Sequence, residues 1–189
     1  MPPRYLIDSN VIIDFQQGGR LKELVAAAKA VPLAIVEQVF TEVAVPEPGE
    51  KQARADEKRS ASKSLLDGAV QVVVLQPGTP AENLYATLVK THGRGEAASI
   101  SFALYEGPDC VFVTGDGPAA ILALNELSDG TERVMRVPVL VRRLYEAGAL
   151  EASVVHAVAL RVISHGLEPS WWATWLAGLP PYTRYDRDL

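Results

Sequence analysis

Cysteine is almost missing from this sequence: Cys110 stands alone, beside two methionines and three histidines. One cysteine cannot close an intramolecular disulfide, and its place in the apolar run Cys110-Val111-Phe112-Val113 suits a reducing compartment. His92, His156 and His165 have no ligand spacing relative to one another or to Cys110, so a zinc site is not expected. Positive charge is not in excess either. Lys and Arg total 18 against 23 Asp and Glu, a formal charge of −5. That balance excludes general electrostatic attraction to nucleic acid or anionic membrane, though not a local basic strip. No uncharged apolar window of about 18 residues is present, which excludes a transmembrane helix. The apolar stretch after Met1-Pro2-Pro3-Arg4 meets Asp8 and Asp14 too soon for a signal peptide. The expected location is the cytosol.

What is present is an ordinary globular balance: 189 residues, 48% apolar and 22% charged. This suits one compact domain with a sizeable core. Tyr5 to Ile7, Leu33 to Val36, Gln71 to Leu75 and Cys110 to Val113 read as buried strands, with Arg133 to Val137 as a shorter one. Helices are expected over Val11 to about Gln17 (capped by Asn10), Leu21 to Ala30, Glu37 to Val43 and Glu50 to Leu66. Thr79-Pro80-Ala81-Glu82 has capping-box spacing and opens a helix to about Thr91. Further helices are expected from Glu96 to Tyr105, Pro118 to Leu127, Pro138 to Ala147 and Glu151 to Ser164, the last ended by Gly166. Another begins at Pro169 and carries Trp171, Trp172 and Trp175. Asp129-Gly130 marks a turn, and residues 180–189 read as extended. Apolar strands alternating with helices predict an α/β fold with a mainly parallel sheet covered on both faces.

In such folds ligands bind beyond the carboxyl ends of the strands. Asp8 follows the first strand and Asp116 the fourth; Glu42 lies on the helix after the second; Glu96 opens its helix beside Gly93 and Gly95. Taken singly, such residues are ordinary turn formers, caps or first-turn acids. Together, four acids at one sheet edge repel one another unless a cation lies between them, and magnesium or manganese is the natural one for oxygen ligands.

Four segments carry a resemblance. They are Leu6-Ile7-Asp8-Ser9-Asn10-Val11-Ile12-Ile13-Asp14, Val36-Glu37-Gln38-Val39-Phe40-Thr41-Glu42-Val43, Gly93-Arg94-Gly95-Glu96-Ala97-Ala98-Ser99-Ile100 and Val111-Phe112-Val113-Thr114-Gly115-Asp116. In order and approximate spacing they resemble the four motifs of the PIN-domain ribonucleases, which include the VapC-type toxins of bacterial toxin–antitoxin pairs. Two departures stand out: Glu96 occupies a place that is commonly aspartate, and Gly117-Pro118-Ala119 follows Asp116 where further polar residues are frequent. The resemblance spans about residues 4–147. It implies a three-layer α/β/α PIN-like domain there, with residues 148–189 as a helical extension packing on the domain or on a partner.

It also implies a metal-dependent endoribonuclease, with RNA as substrate and products carrying a 5′-phosphate and a 3′-hydroxyl. Asp8, Glu42, Glu96 and Asp116 would be its catalytic, Mg2+- or Mn2+-holding acids. Ser9 and Thr114 are candidates to orient those carboxylates by hydrogen bonds; Asn10 either joins them or caps its helix. Arg94 is a candidate phosphate contact, as are the cations of the helix from Lys51 to Lys63 and, more weakly, Arg142 and Arg143. That basic helix face reads equally as a solvated surface paired with Glu50, Asp56 and Glu57. The three tryptophans suit either packing or base stacking. A toxin role implies a small cognate antitoxin; a homodimer is a further expected partner, and a membrane is not.

The competing expectation is a PIN-like module with weak or absent catalysis, which binds nucleic acid or regulates. A haloacid-dehalogenase-like phosphatase fits worse, because Asn10 holds the place of its second aspartate. A receiver domain needs an acidic pair on an early strand and is no better supported.

Overall fold

The computed structural model describes residues 3–127, 130–163 and 169–180. The expectations placed on Asp129, His165, Gly166 and residues 181–189 lie outside them. The chain is α/β, with one five-stranded, all-parallel sheet in the order β3-β2-β1-β4-β5. The strands are β1 (Arg4–Ile7), β2 (Leu33–Val36), β3 (Gln71–Val73), β4 (Cys110–Thr114) and β5 (Val134–Arg136). The inner three are buried along almost their whole length, as continuous apolar runs require when helices cover a sheet.

Helices α1 (Ser9–Gln17) and α2 (Leu21–Ala27) connect β1 to β2, and α3 (Glu37–Ala44) and α4 (Gln52–Leu66) connect β2 to β3. The chain then reverses across the sheet. Helices α5 (Pro80–Leu88) and α6 (Arg94–Tyr105) lead to β4; α7 (Gly117–Glu126) and the short α8 (Gly130–Arg133) lead to β5. Parallel crossovers are right-handed, so leftward and rightward connections cover opposite faces. The reversal makes the β1–β4 junction a switch point, the place where open α/β sheets bind ligands.

Helices α9 (Val137–Glu146), α10 (Ala152–Val162) and α11 (Trp172–Ala177) close the described chain. α10 packs on α1, so closely that a Cβ on Gly18 would stand 2.9 Å from Val158 Cγ1. Trp172 is 1% exposed and meets Trp171 and Trp175 at 5.8 and 5.2 Å between ring centroids. The tryptophans therefore pack with one another and with the core; Trp175 also meets Tyr145 edge-on. The last helix begins at Trp172 rather than Pro169. Among the described residues, no helix is long and apolar enough to cross a membrane.

Candidate functional site

Asp8 sits where β1 ends and α1 begins. Its N–H donates to Val113 O at 3.0 Å, continuing the β1–β4 ladder one residue past Ile7. Its side chain turns back to cap α1, accepting from Ser9 N at 2.7 Å. Asp8, not Asn10, is therefore the cap. A residue inside the first turn has no free N–H ahead of it to bind, and Asn10 instead donates weakly to Asp8 Oδ2 at 3.4 Å. Thr114, on the neighbouring strand, donates its hydroxyl to the same oxygen at 3.0 Å and accepts the Asp116 N–H at 3.1 Å. One threonine thus links the acids after β1 and β4. Ser9 acts on Asp8 chiefly through its backbone, its hydroxyl lying 3.4 Å away.

Asp8 is 4% exposed. Burial pushes its carboxyl up to about 6, against the lowering effect of Ser9 N–H and the Thr114 hydroxyl; the charges of Glu42 and Glu96 push the same way as burial.

Glu42 reaches from α3 to the start of α6 and accepts the Gly95 N–H at 2.8 Å. A Cβ at position 95 would lie 2.7 Å from Glu42 Oε2 and 2.8 Å from Val39 Cγ2, so glycine is what lets the two helices approach here. Glu96 stands at the third position of α6. Burial raises its carboxyl; His92 and the Gly93 backbone lower it, while Asp116 and Glu42 raise it. Its Oε1 is buried without a hydrogen-bond partner. Asp116 caps α7, accepting from Ala119 N at 2.8 Å.

The four segments therefore converge on the carboxyl edge at the switch point, where the charges of Glu42 and Glu96 act on Asp8 and those of Asp116 and Glu42 act on Glu96. Among the described residues, however, no three His, Cys, Asp or Glu side chains stand close enough to hold an ion as they lie. Three of the four acids rest on main-chain donors of their own. The donor set still fits a hard divalent cation: it is all oxygen, it shares one negative field, and it includes an orphaned buried carboxylate oxygen.

Arg136, which ends β5 beside Thr114, was not singled out in the sequence. Its guanidinium donates to Asp116 O at 3.0 Å and to Gly115 O at 2.5 Å, clasping the turn that carries Asp116. Its signal was available: it ends a strand at the same sheet edge as the acids.

Other expected contacts are redistributed. Arg94 is exposed at the mouth of α6 and makes no ion pair among the described residues. Lys51 to Lys63 do not form a continuous basic face. Lys58 is 5% exposed and bonds Glu50 at 3.2 Å; Arg54 also bonds Glu50, and Arg59 bonds Asp56. Arg142 pairs with Glu146 and covers Trp171, while Arg143 holds the Tyr5 hydroxyl at 2.8 Å. Both arginines serve packing.

A cavity of 410 Å³ includes one of the four acids, Glu42, with Gln16, Gln17, Arg54, Glu57 and Lys58. A larger one, 580 Å³, lies between α2 and the start of α10 and includes none of the four acids. The chemistry, not the size, marks the switch point as the site. No family model, curated protein or solved structure matches this chain.

Proposed function

We propose that this chain is a cytosolic, metal-dependent endoribonuclease of the PIN type, with a PIN-like domain over residues 4–147. The observation that carries the reading is the convergence of acids from four separate segments on one switch-point edge, where Glu96 Oε1 is buried without a partner and burial raises Asp8. Asp8, Glu42 and Asp116 have main-chain donors, but no cation pairs with any of the four acids among the described residues.

Asp8, Glu42, Glu96 and Asp116 would hold Mg2+ or Mn2+, with Thr114 and the Ser9 N–H orienting Asp8 and Arg136 orienting Asp116. Such an ion, when bound, supplies an acidified water and offsets charge gathering on the phosphate. Arg94 supplies a cation at the mouth of the site for the phosphate of the RNA. The Gly95 N–H keeps Glu42 turned toward α6. In a toxin, a small antitoxin would obstruct this edge; the exposed Leu160 of α10 offers apolar surface for a second copy.

Incubation of purified protein with single-stranded RNA and Mn2+ tests the reading. Cleavage leaving 5′-phosphate and 3′-hydroxyl ends, lost in Asp8→Asn and Asp116→Asn, supports it. Intact RNA across varied sequences at millimolar Mn2+ would contradict it. A second reading, a nucleic-acid-binding module without catalysis, is favoured by one observation: the acids lie apart, with Asp116 engaged in capping α7. It predicts RNA binding without cleavage.

A further inference from the structure

Lys22 on α2, Lys29 just beyond it, and Lys63 on α4 line one groove of 530 Å³ between the two helices. The groove also includes Ser60, Ser64 and a single acid, Asp67. None of the three lysines forms an ion pair among the described residues. This is unlike the rest of α4, where Arg54, Lys58 and Arg59 are each matched to a carboxylate. Three ammonium groups facing one acid form a local excess of positive charge on a chain whose total is −5. Concave walls focus such a potential.

The groove is built, not incidental. At its end a Cβ on Gly68 would stand 1.8 Å from Val25 Cγ1, so α2 and the end of α4 are pressed together by the absence of a side chain. That close crossing holds the two helix segments that carry the lysines against each other. α4 also joins the groove to the acidic edge: Arg54 and Lys58 line the cavity that contains Glu42, and Ser60, Lys63 and Ser64 line the lysine groove. From Arg54 to Ser64 the helix rises about 15 Å, at about 1.5 Å per residue.

We infer that the groove binds the phosphodiester backbone of single-stranded RNA, as an exosite for the part of the strand lying away from the acidic edge. The inference rests on the ribonuclease reading for the identity of the polyanion. Its lining favours phosphate: ammonium and hydroxyl donors, an aliphatic floor and no aromatic ring to read a base. Binding there is accordingly independent of sequence and falls steeply with salt.

The test is fluorescence anisotropy of a labelled single-stranded RNA in EDTA, where no cleavage occurs, across a salt series. Wild type is compared with Lys22→Glu/Lys29→Glu/Lys63→Glu and with the milder Lys22→Gln/Lys29→Gln/Lys63→Gln, thermal melts confirming the fold. The expected result is a loss of about tenfold or more in affinity. At about 0.7 per phosphate neutralised, the slope of log affinity against log salt becomes shallower by about 2. Mn2+ binding, measured separately by calorimetry, stays at the wild-type level. Unchanged RNA affinity in both variants overturns the groove while leaving the nuclease reading standing. Wild-type protein that binds inorganic pyrophosphate but not RNA also overturns it. Conversely, a loss of RNA affinity in a protein that neither binds Mn2+ nor cleaves supports the groove and removes the nuclease reading.

Discussion

The carboxylate of Glu42 accepts the backbone N–H of Gly95 at 2.8 Å, across 53 residues of sequence. This bond ties α3 to the first turn of α6 and places two of the four acids, Glu42 and Glu96, on adjoining helix ends. It also satisfies one of the N–H groups that a helix leaves unpaired at its start.

Gly95→Ala tests that relationship. The added methyl would stand 2.7 Å from Glu42 Oε2 and 2.8 Å from Val39 Cγ2, so Glu42 has to move. A thermal or urea melt should show a loss of about 1–3 kcal/mol, the usual cost of overpacking. RNA cleavage should fall more than the loss of folded protein explains. Unchanged stability and activity would show that α3 and α6 adjust freely.

Arg136→Gln removes the clasp on Gly115 O and Asp116 O. Hydrogen bonds from a charged donor contribute about 1.5–3 kcal/mol each, so loss of both predicts a destabilisation of about 3–6 kcal/mol. Its positioning role predicts more: Mn2+ affinity should fall, and Arg136→Lys, which keeps the charge without the forked geometry, should restore only part of it. Full Mn2+ affinity in Arg136→Gln would reduce Arg136 to a structural contact.

Asp8 makes stability depend on pH. Its carboxyl is raised to about 6 in the folded protein from an ordinary 3.8, so the folded state takes up the proton first. Its contribution is full below about pH 4 and is lost as pH rises through about 6, a change of about 3 kcal/mol at about 1.4 kcal/mol per pH unit. Asp8→Asn cannot ionise. In EDTA it should be more stable than wild type at pH 8, by about 1–3 kcal/mol after loss of one accepted hydrogen bond. Near pH 4 the advantage should be gone, leaving Asp8→Asn less stable than wild type by the lost hydrogen bond, about 1 kcal/mol. A difference independent of pH would contradict the buried, raised carboxyl.

Trp172→Ala should cost about 3–5 kcal/mol in a denaturant melt, because its ring is buried beneath Trp171 and Trp175. A loss below about 1 kcal/mol would mean that α11 contributes little to the core.

The sheet was legible because its inner strands are unbroken apolar runs, and Asp8 and Asp116 were legible because they end two of them. β3 stops at Val73 rather than Leu75 because it is an edge strand, and Val74 already lies half exposed. Long-range relationships were less visible. Helical spacing made Lys58 look like part of an outer basic face; the segment before α4 brings Glu47 and Glu50 over it and turns it inward. Lys22, Lys29 and Lys63 meet only because α2 crosses α4. Arg136 ends its strand visibly in the sequence, but its grip on the Asp116 turn depends on the register with Thr114, which is a long-range relationship. Asp8 and Asn10 are equally good cap residues by type, and only the backbone distinguishes them.

The central claim is that Asp8, Glu42, Glu96 and Asp116 act as one site for a divalent cation. Calorimetric titration of Mn2+ into the purified protein, beside Asp8→Asn and Asp116→Asn, tests it without a choice of substrate. The account predicts saturable binding to wild type that weakens by about tenfold or more in each variant, as loss of a charged ligand from an oxygen site requires. No binding at millimolar Mn2+, or binding equal in all three proteins, would contradict it.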